Sequence, residues 1–96
     1  MYQFGVSEAA WNDMDSSCKW YNDQQDGLGK EFLQEVFKTF QYIEKNPLLY
    51  AVRFSGQFRF AKVNRFPFLV VYEVLDKEIV INSVFHTYLN PNRLSG

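Results

Sequence analysis

His86 and Tyr88 follow a strand-like run, Ile79 to Phe85, and three cations, Arg59, Lys62 and Arg65, precede it by about one hairpin. These are the types that cleavage of RNA through its 2′-hydroxyl needs. His86 can accept or donate a proton near neutral pH, Tyr88 can donate to a leaving oxygen, and the cations can hold phosphate. The residues admit a second reading just as simple. A histidine at a strand end can cap backbone groups, and a cationic strip can bind an acidic protein segment. Spacing weighs against a shared clamp, because three residues separate Arg59 from Lys62, which sets them on opposite faces of a regular strand.

The charges around these residues are unevenly distributed. Residues 1–44 carry eight acids and three bases, residues 45–72 five bases and no acid, and residues 73–96 three acids and two bases. A chain of net charge −1 thus contains a cationic strip whose arginines include Arg53, Arg59 and Arg65. The pI of about 5.7 speaks against a surface built for ribosomal RNA, where binding scales with the number of phosphates neutralised. A single histidine excludes the multi-histidine metal sites, and Asp13, Asp15, Asp23 and Asp26 lack the calcium-loop pattern, so neither a metal nor another cofactor is expected. Cys18 has no partner for a disulfide and reads as a small core residue; a reducing, cytoplasmic setting fits it.

The elements that must position these side chains can be read from periodicity. Residues 1–96 are short enough to be one domain. Tyr2, Phe4 and Val6 alternate as a short strand, and Ser7 is suited to cap a helix reaching about Gln24. Trp11, Met14, Cys18 and Tyr21 form its apolar stripe, with Asn12, Asp13, Asp15 and Lys19 on the wet side; Trp20 falls off the stripe, available to a partner. Leu28, Phe32, Val36, Phe40 and Ile43 mark a second helix that Asn46-Pro47 ends. Strands follow at Val52 to Phe54, Phe58 to Val63, Phe68 to Leu75 and Ile79 to Phe85. Ser55-Gly56 is expected as a tight turn or bulge, and Asp76-Lys77 as a two-residue hairpin turn. The expectation is an α+β fold, a helical hairpin packed on a small, mainly antiparallel sheet in the order β-α-α-β-β-β, with Trp11, Met14, Phe32, Val36 and Phe40 between the layers. The N-terminus does not read as a secretion signal, and the longest apolar run, Phe66 to Tyr72, is about a third of the roughly 20 residues a membrane helix needs.

In that order the chain carries Trp20-Tyr21, Gly27-Leu28-Gly29-Lys30-Glu31-Phe32, Ile43-Glu44-Lys45-Asn46-Pro47, Arg59-Phe60-Ala61-Lys62-Val63, Arg65-Phe66-Pro67-Phe68, Val84-Phe85-His86-Thr87 and Asn90-Pro91. The ordered set resembles the RelE/ParE superfamily, the toxins of type II toxin-antitoxin modules, also called plasmid stabilisation proteins. The resemblance implies a growth-inhibiting toxin neutralised by a cognate antitoxin whose C-terminal segment wraps it. One branch of the superfamily cuts messenger RNA on the ribosome; the other poisons DNA gyrase. The cutting branch carries arginine three residues before the central-strand tyrosine, where this chain has Leu69 ahead of Tyr72. Thr87 separates His86 from Tyr88, and Leu89 stands where many relatives have arginine. Arg65-Phe66-Pro67-Phe68 looks like the gyrase-directed side. The expected function is therefore binding of a target such as gyrase, with a ribosome-dependent endonuclease or an inactive, antitoxin-binding relative as the alternatives.

Overall fold

The computed structural model describes residues 2–87. The elements in order are β1 (Gln3–Val6), α1 (Glu8–Gln24), α2 (Leu28–Lys45), β2 (Val52–Arg53), the single helical turn α3 (Phe54–Gln57), β3 (Phe58–Lys62), β4 (Phe68–Leu75) and β5 (Glu78–His86). They form one five-stranded sheet in the order β1-β5-β4-β3-β2, so the long apolar strand β4 lies at its centre as its composition requires. β1 runs parallel to β5, with Phe4 opposite Ile79 and Val6 opposite Ile81; every other pairing is antiparallel. Among the described residues no helix is long and apolar enough to cross a membrane.

Local chemistry sets the element boundaries. Ser7 caps α1 by accepting from the Ala10 amide, and its hydroxyl donates to the Asn82 carbonyl, which fastens the start of α1 to β5. Asn22 accepts from the Gly29 amide at 2.8 Å, so a side chain of α1 caps the first turn of α2. Leu75 pairs with Glu78 across the expected Asp76-Lys77 turn, where Asp76 takes a φ of 57° that its short polar side chain tolerates. Between β2 and β3 the chain makes the helical turn α3 in place of the expected tight turn or bulge. The bulge is elsewhere, between Val71 and Tyr72, where Asn82 is the extra residue of β5.

The core lies between the helical hairpin and one face of the sheet. Met14, Phe32, Val36, Phe40 and Ile43 meet Ala61, Val70, Tyr72, Ile79, Ile81 and Val84, all buried. Trp11 departs from the expected core: it is 49% exposed and leans on Phe37 with ring centroids 6.5 Å apart. The core-facing stripe of α1 keeps Met14 and the partly buried Tyr21 of the expected one, with Ala10 in place of Trp11. Asp13 is likewise not on the wet side. Its carboxylate accepts from the Val84 amide at 3.0 Å, replacing the strand that β5 lacks beyond the end of β1.

Tyr72 is fully buried, and its hydroxyl donates to the Pro47 carbonyl at 2.7 Å. Burial pushes its pKa from 10.0 up to about 12, opposed by the nearby Arg59 charge. Because the folded value exceeds the unfolded one, the contribution is intact below pH 10 and lost as the pH climbs towards 12. The unfolded chain should then gain up to about 3 kcal/mol relative to the native state. Urea unfolding across this range should show the decline, and Tyr72→Phe should flatten it; an unchanged slope in the variant would remove Tyr72 as its source.

Candidate partner-binding surface

The cations of the strip are placed individually by the fold. Arg59 and Lys62 pair with Tyr72 and Leu69 on β4, three residues apart, and so fall on opposite faces of the sheet. Arg59 lies on the helix-covered face, where its guanidinium donates to the Tyr50 carbonyl at 2.5 Å and the Leu48 carbonyl at 3.3 Å. Together with the Tyr72–Pro47 bond, this holds the segment 47–50 by three of its main-chain carbonyls. Leu48 and Leu49 then project outward, Leu49 being 75% exposed.

Arg65 is drawn onto α2. Its Nη2 donates to Glu31 at 2.8 Å, its Nη1 lies 3.7 Å from Glu35, and its guanidinium carbon sits 5.5 Å from the centre of the Phe66 ring. The backbone at Arg65 has a φ of 72°, uncommon without glycine, and these contacts from α2 hold the β3–β4 connection in that shape. Lys62 is exposed and borders two clefts. One, of about 250 Å³, contains Lys38, Tyr42, Tyr50 and Asn64; the other, of about 540 Å³, contains Arg65, Phe66, Pro67 and Leu69. The side chain of Arg53 lies outside the described residues, as does the whole of Tyr88.

His86 sits elsewhere. It pairs with Phe68 on the helix-covered face, its ring edge-on to that phenylalanine with centroids 5.1 Å apart. It borders a cleft of about 500 Å³ between α1 and the end of β5, with Asp13, Ser17, Trp20, Tyr21 and Phe68. No arginine or lysine occurs among the described residues of that cleft. Trp20, 56% exposed and edge-on to Tyr21, forms one wall. His86 thus lines a different cleft from Lys62 and Arg65, while Phe68 borders both clefts and Thr87, the residue after His86, lines the one beside the cations. Leu69, three residues before Tyr72, is half-buried between Lys62 and Phe85 on the opposite face.

Several residues of this surface carry no signal that periodicity can read. Glu31 and Glu35, the partners of Arg65, lie on the helix of a hairpin whose apolar stripe draws the eye. Leu48 and Leu49 follow a proline and look like the entry to a strand, yet both are exposed.

The sequence matches the family described as ParE toxin of type II toxin-antitoxin system, parDE, over residues 6–88. No curated protein matches it. Among solved structures, the chromosomal ParDE TA system from P. aeruginosa is similar with a TM-score of 0.80 and 19% identity, covering 90% of this chain and 96% of that one. The YoeB dimer from Staphylococcus aureus is similar with a TM-score of 0.61 and 20% identity, covering 88% and 97%. At such identities these likenesses concern the fold, and it is the family match over most of the length that identifies the chain as a member of the ParE toxin family of type II toxin-antitoxin systems.

Proposed function

We propose that this chain inhibits growth by binding a target such as DNA gyrase, without cutting RNA, and that a cognate antitoxin neutralises it. The observation that carries the reading is that no cation lines the cleft of His86 among its described residues, and that Arg59 and Arg65 are already engaged. Proton transfer and phosphate binding must converge within hydrogen-bond reach to cleave a phosphodiester. Here the histidine faces Phe68 in a cleft without cations among its described residues, while Arg59 and Arg65 are engaged by carbonyls and by α2. A cytoplasmic location follows from such a target.

The antitoxin segment is assigned to the seam between α2 and the outer edge of β3. Lys62 and Lys38 supply charge, Tyr42, Leu48 and Leu49 supply exposed apolar area, and β2 covers only Phe58 and Arg59 of the neighbouring strand. An extended acidic segment would gain charge-assisted bonds from the two lysines.

Expression of the chain without its antitoxin should arrest growth, and His86→Ala should leave that arrest within about twofold, since no chemical step depends on it. Supercoiling by purified gyrase should fall while ribosome-bound message stays intact. Message cut in the ribosomal acceptor site, with the cutting abolished by a folded His86→Ala protein, would replace this reading with an endonuclease. Lys38→Glu combined with Lys62→Glu should weaken antitoxin capture at least about tenfold in a titration; unchanged affinity would move the antitoxin to another face.

A further inference from the structure

β1 ends the sheet, and its outer edge is uncovered among the described residues. The amides of Gln3 and Ser7 donate to the carbonyls of Lys77, just ahead of β5, and Ile81 on β5, so in this parallel ladder Gln3, Gly5 and Ser7 turn their main-chain groups inward. Phe4 and Val6 therefore aim their N–H and C=O groups away from the sheet. Natural edges are blunted by lysine, proline, a bulge or an inward charge. Gln3-Phe4-Gly5-Val6 contains none of these, and shortness is its one protection.

We propose that β1 is a homodimer interface, pairing antiparallel with β1 of a second copy about a two-fold axis through Gly5. The register follows from the strand itself. Centring on Gly5 sets Phe4 opposite Val6 of the other copy, and Val6 opposite its Phe4, so the residues with outward main-chain groups exchange four hydrogen bonds. Phe4 and Val6 share the helix-covered face, so each dimer contains two aromatic–β-branched cross-strand pairs. Gly5 meets Gly5 at the non-hydrogen-bonded position, where the strands approach most closely and no side chain intervenes. No charge on the strand opposes its copy. The helical layers of the two copies come to lie on one face. A chain of rings, Phe4 to Phe40 at 5.7 Å, Phe40 to Phe37 at 5.9 Å and Phe37 to Trp11 at 6.5 Å, leads from the shared edge to the exposed Trp11.

The axis at Gly5 supplies the test. A Cβ built there meets nothing within 4 Å, so side chains at this position leave the monomer fold in place. The full chain should dimerise by sedimentation or light scattering between about 1 µM and about 1 mM. Gly5→Lys and Gly5→Glu each set like charges face to face at the axis, and each should raise the dissociation constant at least about tenfold. Mixed in equal amounts, the two variants should recover the dimer as a heterodimer, while circular dichroism shows each of them folded. In the wild-type dimer the Phe4 and Val6 amides should gain protection from hydrogen exchange. A wild-type chain that stays monomeric across this range overturns the proposal, as does a dimer unaffected by either charge or a mixture that stays monomeric. Protection of Phe4 and Val6 only on adding the antitoxin would also overturn it and give the edge to that partner.

Discussion

Phe32→Ala is expected to lower the unfolding free energy by about 3–5 kcal/mol, the range for deleting a buried phenylalanine ring from a core that cannot collapse onto the gap. Phe32 is fully buried and touches three further rings, Tyr21 at 5.4 Å, Phe66 at 5.4 Å and Phe68 at 4.7 Å between centroids. Those rings come from α1, from the β3–β4 connection and from β4, so the cavity opens where three parts of the chain are stitched together. The edge-to-face contact with Phe66 adds to the loss from burial alone. In a domain of this size the melting temperature should fall by more than about 12 °C. Chemical denaturation measures it directly. A loss below about 1.5 kcal/mol would mean that the rings are not packed as described.

The second large effect is expected at a residue without a side chain. A Cβ added to Gly29 would lie 2.8 Å from the Asn22 side chain and closer still to the Cys18 carbonyl oxygen, a backbone atom that cannot swing aside. Alanine is the better helix former by about 1 kcal/mol, so propensity alone predicts a gain for Gly29→Ala. The clash decides the sign. Either α1 and α2 part, or the Asn22 bond to the Gly29 amide is lost, and the net cost should be about 2–4 kcal/mol. Gly5→Ala is the control, since its Cβ meets open space and the change should be close to neutral. Equal effects at the two glycines would mean that the helices are not in close approach at Gly29.

The helical hairpin was legible because α2 has one broad apolar stripe, and Phe32, Val36, Phe40 and Ile43 are buried as their spacing demands. α1 was legible as a helix, and Met14 and Tyr21 face the core as expected, but Trp11 does not. Trp11, the largest residue of the expected stripe, drew that stripe away from Ala10, a residue too small to weigh in a pattern yet fully buried. Its polar type sent Asp13 to the wet side, and nothing local announces that β5 outruns β1 and needs a carboxylate at its edge. The cationic strip was visible as composition, but its use was not. Arg59 is claimed by carbonyls nine and eleven positions away, and Arg65 by a carboxylate thirty-four positions away. Such partners are set by tertiary placement, and spacing along one element carries no information about them.

The parallel pairing of β1 with β5 constrains the order of assembly during synthesis. Gln3 and Glu78 are neighbours in the sheet yet far apart along the chain, so β1 has no bonding partner while the ribosome is making everything between them. Local pieces such as the helical hairpin and the β3–β4 pair can form on the way, but β1 must wait for β5. A truncated product that stops before β5 lacks the strand that seats β1 and receives the Asp13 bond, and it leaves one side of β4 open. Incomplete chains of this toxin should therefore be substrates for proteolysis and not fragments with partial potency. The cell meets the finished surface only once β5 has been made.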